Sequence, residues 1–139
     1  MEDQEHGRFH GGLTKLLGFR FEEASGDRVV VVCPVTPDLH QPYGLVHGGV
    51  YAALAETAAS VGGAVWLGDR GRTVGISNQT DFLRAVRDGE LRAVATPLSR
   101  GRTTQLWQVT ISDERDRLVA HAGVRLINVR EVPGSDSQP

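Results

Sequence analysis

The chain is short of the residues that would commit it to several chemistries. Its one cysteine, Cys33, rules out an intrachain disulfide. That thiol lies in an apolar run, which predicts a buried, inert group. The charges nearly cancel, at a formal net charge of -2, so no overall attraction to nucleic acid or to a membrane surface is expected. The opening MEDQEHGRFHGG lacks the basic-then-apolar order of a secretory signal. The longest apolar stretch is broken by Glu56 and by Gly62-Gly63 and falls short of a comfortable membrane span of about 20 residues. A soluble cytoplasmic protein is the expectation. His40 and His47 have no supporting cysteine or carboxylate cluster at ligand spacing, so no metal site is expected. His6, His10 and His121 read as incidental. No internal repeat is present.

What the chain does have is one organising stretch, Gly44-Leu45-Val46-His47-Gly48-Gly49, followed by an apolar run to about Leu67. Apolar residues occupy most faces of that run, as in a helix buried on all sides. Its one carboxylate, Glu56, is costly there unless it is paired, hydrogen-bonded or used in chemistry. The 139 residues suffice for one domain. Residues 1–12 read as a flexible N-terminus, 13–130 as the folded domain, and 131–139, rich in Ser, Gly and Pro, as a disordered tail.

Within the domain, Leu13 to Leu17 predicts a short helical patch. Phe19 to Glu23 and Arg28 to Val35 predict a hairpin across Ser25-Gly26-Asp27, with Pro34 placing the second run near a sheet edge or bulge. Thr36 to Gly44 reads as a loop. After the helix, Gly68 to Gly71 is a stop. Thr73 to Val86 reads as a long strand with a polar middle, and Arg87-Asp88-Gly89 as a hairpin turn. Glu90 to Ser99 is a strand with a bulge at Pro97. Arg100-Gly101-Arg102 is a turn. Thr103 to Ser112 alternates, with Gln105, Trp107, Val109 and Ile111 on one face. Asp113 to Asp116 is a turn, and Arg117 to Val129 closes the sheet. One long helix and about six strands predict an α+β fold, a curved antiparallel sheet wrapped around the helix. One helix side and a sheet edge then need cover, which self-association supplies.

Gln41-Pro42-Tyr43-Gly44-Leu45-Val46-His47-Gly48-Gly49, followed by Leu54-Ala55-Glu56-Thr57, resembles the hotdog-fold acyl-CoA thioesterases. It looks most like the branch holding the Arthrobacter-type 4-hydroxybenzoyl-CoA thioesterases and the phenylacetate-pathway thioesterases. Asn78 to Arg84 and Ser99 to Thr104 fit the same pattern, and the resemblance runs over about residues 13–129. It implies a hotdog fold, a homodimer that pairs into a dimer-of-dimers tetramer, and hydrolysis of an acyl-CoA thioester. No cofactor is implied, since coenzyme A is part of the substrate.

The residues suit that chemistry. A thioester carbonyl needs a donor for its developing oxyanion. The N–H groups of Gly48 and Gly49 lie at a helix start, where they are unpaired and the helix dipole favours negative charge. Glu56 is the candidate base or nucleophile. Ser60, one turn on along the same face, can orient it or the attacking water; many matching enzymes carry Thr there. Gln41 can donate from its amide to the carbonyl or to Glu56. His47 can fix the turn or help bind the thioester. Arg84, Arg100 and Arg102, with Gly101, Thr103 and Thr104, are candidates for the coenzyme A phosphates. Asn78 and Asp81 face a neighbouring subunit in this fold, where they stitch the interface or line the acyl pocket. Tyr51, Phe82 and Trp107 favour an aryl group or belong to the core.

Spacing adds a constraint. Gly48 and Glu56 lie about 12 Å apart along a helix axis, with a rotational offset of about 80°. One small carbonyl does not easily touch both. Two antiparallel helices side by side solve this and predict a composite site, with Gly48, Gln41 and His47 from one subunit and Glu56 and Ser60 from the other. Two alternatives stay open on sequence alone: a hotdog hydratase or dehydratase, disfavoured because no histidine stands beside Glu56, and a non-catalytic acyl-CoA-binding module.

Overall fold

Four consecutive valines set the centre of one sheet half. Val29 to Val32 and Cys33 are all buried in strand β2 (Val29–Pro34), as a β-branched run packs well on a pleated surface. In the computed structural model, residues 9–130 are described. The expected flexible start up to residue 8 and the tail 131–139 lie outside them. Phe9 and His10, within the expected flexible start, pack against the Phe21 ring.

The remaining elements are α1 (Gly12–Leu16), β1 (Arg20–Ala24), α2 (Gly48–Leu67), β3 (Gly71–Phe82), β4 (Glu90–Arg100), β5 (Thr104–Ser112) and β6 (Leu118–Arg130). Short 3-10 turns cover Pro37–Leu39 and Gly68–Arg70. The strands form one antiparallel sheet in the order β1-β2-β4-β5-β6-β3. The α+β architecture, one long helix against a six-stranded antiparallel sheet, is the expected one.

Two details differ from the sequence reading. Arg87-Asp88-Gly89 is not a hairpin turn. Both edges of β4 are taken, by β2 and β5, so β3 pairs with the free edge of β6 instead. Strand β3 therefore ends at Phe82, and residues 83–89 cross back to β4. That crossover is tied down by Leu83 N–H and Arg84 N–H to Val119 O and by Val46 N–H to Val86 O. Pro34 is near a sheet edge, as expected. It is the last residue of β2, beyond the reach of β1, whose pairing stops at Arg20↔Val32. Second, α2 is not too short to span a membrane: Gly48–Arg70 is long and apolar enough by length and composition. It is instead a core helix. Leu54, Ala55, Ala58 and Ala59 are wholly buried among sheet residues. The bulge expected at Pro97 is present.

The inward face of β5 is the one alternation predicts, with Gln105, Trp107, Val109 and Ile111 fully buried. At Gly62 and Gly63, which interrupt the apolar run in sequence, helix and sheet approach closely. A Cβ at Gly62 would lie 2.5 Å from the Trp107 indole, and one at Gly63 would overlap Leu126 and Gln105. Glycine permits this approach. The helix is not covered all round. Ala52, Ala53, Glu56, Thr57, Ser60 and Ala64 are only half-buried, and the edge strand β3 leaves Val74 and Ile76 more than half exposed.

Candidate active site

The loop before α2 closes on itself. Gln41 N–H donates to Leu45 O, and Gly44, in the left-handed region at φ 79°, donates back to Gln41 O. The Gln41 side-chain carbonyl accepts from Tyr43 N–H. That leaves the Gln41 NH2 group with no acceptor among the described residues.

His47 is the N-cap of α2. Its Nδ1 accepts from Gly49 N–H at 2.8 Å, and its carbonyl accepts from Val50 N–H. An accepting Nδ1 places the ring proton on Nε2. The cap therefore consumes the Gly49 N–H. Gly48 N–H, the first of the helix, has no acceptor among the described residues. Gln41, Gly48 and Arg84 line one cleft of about 330 Å³, walled by apolar groups including Tyr51, Phe82 and Leu83. The Phe82 ring sits where a side chain of residue 48 would be, and Tyr51 lies 5.8 Å from it between centroids. Burial pushes the Tyr51 phenol up to about 12, with the charge of Asp113 adding to it; its hydroxyl has no hydrogen-bond partner among the described residues.

Glu56 and Ser60 do not line this cleft. They lie two and three turns further along α2, on its half-buried face. Glu56 Oε1 accepts from Asn78 Nδ2 at 3.2 Å, and Asn78 Nδ2 also donates to Ala52 O at 3.0 Å. The other carboxylate oxygen occupies the space above Gly75, where a Cβ would overlap it. The Ser60 hydroxyl makes no hydrogen bond among the described residues. Asp81 is exposed.

The arginine candidates fall into two places. Arg84 is at the cleft, by the start of α2. Arg100 is by its end: the guanidinium donates to Gly26 O and to Asp27 Oδ1 and lies over the Trp66 ring. The turn after it is clamped from β6. Asn128 Nδ2 donates to Gly101 O at 2.9 Å and Arg102 O at 3.1 Å, and Asn128 N–H donates to Thr103 O. Gly101 N–H bonds Thr104 O. With a 20-residue helix between them, about 30 Å long, Arg84 and the turn holding Arg102, Thr103 and Thr104 are not brought together within one chain.

Two features escaped the sequence reading. Gly75 gives the Glu56 carboxylate its room. A buried polar chain also runs from Trp107 Nε1 to Gln105 Oε1, from Gln105 Nε2 to Asn128 Oδ1, and on to the turn carbonyls. The one sequence signal for it was a glutamine on the inward face of β5.

The thioesterase superfamily model matches residues 43–120. Rv1847 of Mycobacterium tuberculosis is 45% identical over 120 residues, covering 84% of this chain and 86% of that protein. The 1,4-dihydroxy-2-naphthoyl-CoA hydrolase of Escherichia coli K12 is 36% identical over 108 residues, covering 78% and 79%. The crystal structure of the Haemophilus influenzae thioesterase HI1161 superposes with a TM-score of 0.90 at 29% identity, over 98% of this chain and 95% of that one. Sequence, fold and relatives agree: this chain belongs to the hotdog-fold thioesterase superfamily and is a thioester-cleaving enzyme.

Proposed function

We propose that the enzyme hydrolyses acyl-CoA thioesters in the cytoplasm, at a site completed by a second copy of the chain. The observation that carries this reading is the separation of the two halves. Gln41 and the Gly48 N–H, unpaired among the described residues, share a cleft that Glu56 and Ser60 do not reach. A two-fold pairing of antiparallel α2 helices sets the start of one beside the middle of the other.

The surface supports that pairing. Strand β3 is a long edge with half-exposed Val74 and Ile76, a surface that soluble proteins ordinarily cover. The half-buried face of α2 beside it is made of small residues around Glu56. Pairing brings the end of one helix to the start of the other, and with it the Arg102–Thr104 turn of one copy towards Arg84 of its mate. The coenzyme A phosphates bind between them. The outward Leu98, Ile127 and Val129 provide the surface on which two dimers form a tetramer.

In the reaction, the substrate carbonyl oxygen takes hydrogen bonds from Gly48 N–H and the Gln41 amide as it becomes an oxyanion. His47 holds the cap that keeps Gly48 N–H free. Glu56 of the other copy takes a proton from the attacking water, or attacks the carbonyl carbon itself, with Ser60 orienting the reacting group. The tetrahedral species collapses, the carbon–sulfur bond breaks, and the coenzyme A thiolate leaves. If Glu56 attacked, water then hydrolyses the anhydride.

A panel of aryl-, short- and long-chain acyl-CoA thioesters, read by thiol release, tests the reaction. Glu56→Ala is expected to lower kcat by more than about tenfold while coenzyme A binding survives. A wild-type rate in that variant contradicts the role given to Glu56.

A further inference from the structure

Gly75 and Asn78 are three residues apart and would fall on opposite faces of a regular strand. A bulge between Gly75 and Ser77 changes that. Gly75 pairs with Leu126, Asn78 with Val124 and Thr80 with Ala122, and all three of those β6 partners are fully buried. The bulge thus brings Gly75, Asn78 and Thr80 to the face that meets α2, beneath Glu56.

The hydrogen bonds among them form a directed chain. Thr80 Oγ1 lies 2.6 Å from Asn78 Oδ1. Its hydroxyl hydrogen fixes that end of the amide as the carbonyl and turns the NH2 end to the helix. One amide hydrogen goes to Ala52 O and the other to Glu56 Oε1. Ala52 and Glu56 are one helical turn apart, so a single amide spans backbone and side chain on one face. Glu56 Oε2 accepts no hydrogen bond among the described residues and projects over Gly75. One oxygen is anchored and the other is left for chemistry.

We propose that Asn78 is a positioning residue for the Glu56 carboxylate and that Thr80 sets which end of the Asn78 amide faces it. This rests on the reading of Glu56 as the reacting carboxylate. It gives the polar middle of β3 a task in turnover. The predicted signature is a change in kcat at constant KM, because neither residue has to touch substrate.

The test measures kcat and KM for Asn78→Ala, Thr80→Val and Thr80→Ser, each alone and with Glu56→Ala. Loss of a hydrogen bond to a charged group corresponds to about tenfold or more. Asn78→Ala is expected to lose that much in kcat with KM within about twofold. Thr80→Val, which keeps the shape but loses the hydroxyl, is expected to fall by about threefold or more, and Thr80→Ser to retain the wild-type rate within about twofold. In the Glu56→Ala background none of them lowers the residual rate further. If Asn78→Ala fails to fold by circular dichroism, the two Thr80 variants decide. The proposal is overturned by a wild-type kcat in Thr80→Val, by Thr80→Ser as damaging as Thr80→Val, or by the same loss in the absence of Glu56. A wild-type rate in Glu56→Ala alone brings down the underlying reading, and the proposal with it.

Discussion

Glu56 and Gly75 compete for one volume: the carboxylate on α2 occupies the space a side chain on β3 would need. Gly75→Ala must therefore push the carboxylate aside or push strand and helix apart. The expected outcome is a fall in kcat of about tenfold or more with a smaller change in KM. A Gly75→Ala enzyme at full activity would show that the carboxylate position is not needed.

Gly48 offers a way to remove one N–H and little else. Proline is tolerated at the first helical position. The residue before a proline must be extended, and His47 already is, at φ -63° and ψ 135°. Gly48→Ala is the control for the methyl that meets the Phe82 ring. If Gly48 N–H holds the oxyanion, Gly48→Pro loses about 100-fold or more in kcat, well beyond Gly48→Ala. Equal losses in the two variants would assign the effect to Phe82 instead.

Cys33 is fully buried, and burial, with the charge of Glu90 adding to it, pushes its thiol up to about 11. The folded state therefore favours the neutral thiol. Stability from this source is present below the ordinary thiol range of about 8.5 and is lost as pH rises towards about 11. With one cysteine in the chain, the reading is direct. At pH 8 a disulfide reagent is expected to label less than about a tenth of the native protein and all of the denatured protein. Rapid native labelling would contradict the buried placement.

Asp113 acts on the acid side. Its carboxylate accepts from Arg115 N–H and Arg117 N–H and pairs with the Arg117 guanidinium. These bonds, the Arg117 N–H foremost, hold it below the usual carboxylate range. A lowered folded value means stability that is present above about pH 4 and lost as pH falls through the folded value. Asp113→Asn is expected to flatten the acid limb of a urea-stability profile. An unchanged acid limb would show that the turn is held by other groups.

How much of this was legible in the chain depended on whether a local pattern decided the outcome. Alternation placed Gln105, Trp107, Val109 and Ile111 inward, and a β-branched run made β2, because side-chain period and strand pleat are local. The destination of β3 was not local. Nothing near Arg87-Asp88-Gly89 records that both edges of β4 are already taken by β2 and β5. The candidate site divides the same way. Spacing along one helix was enough to separate Gly48 from Glu56. Gly75, however, becomes meaningful only once a strand from beyond the helix lies under the carboxylate, and the clamp of Asn128 on Gly101 and Arg102 only once β6 closes beside that turn.

The most direct measurement mixes two disabled enzymes. Gln41→Ala and Glu56→Ala are each expected to be nearly inactive, for lack of different halves of the site. Dissociated together and reassociated at equal amounts, they form mixed dimers in which one of the two sites is wholly native. The account predicts recovery to about 25% of the wild-type rate, the product of half the dimers and half their sites. A mixture no more active than the sum of its two parents, with subunit exchange verified by native mass spectrometry, would contradict a site shared between two chains.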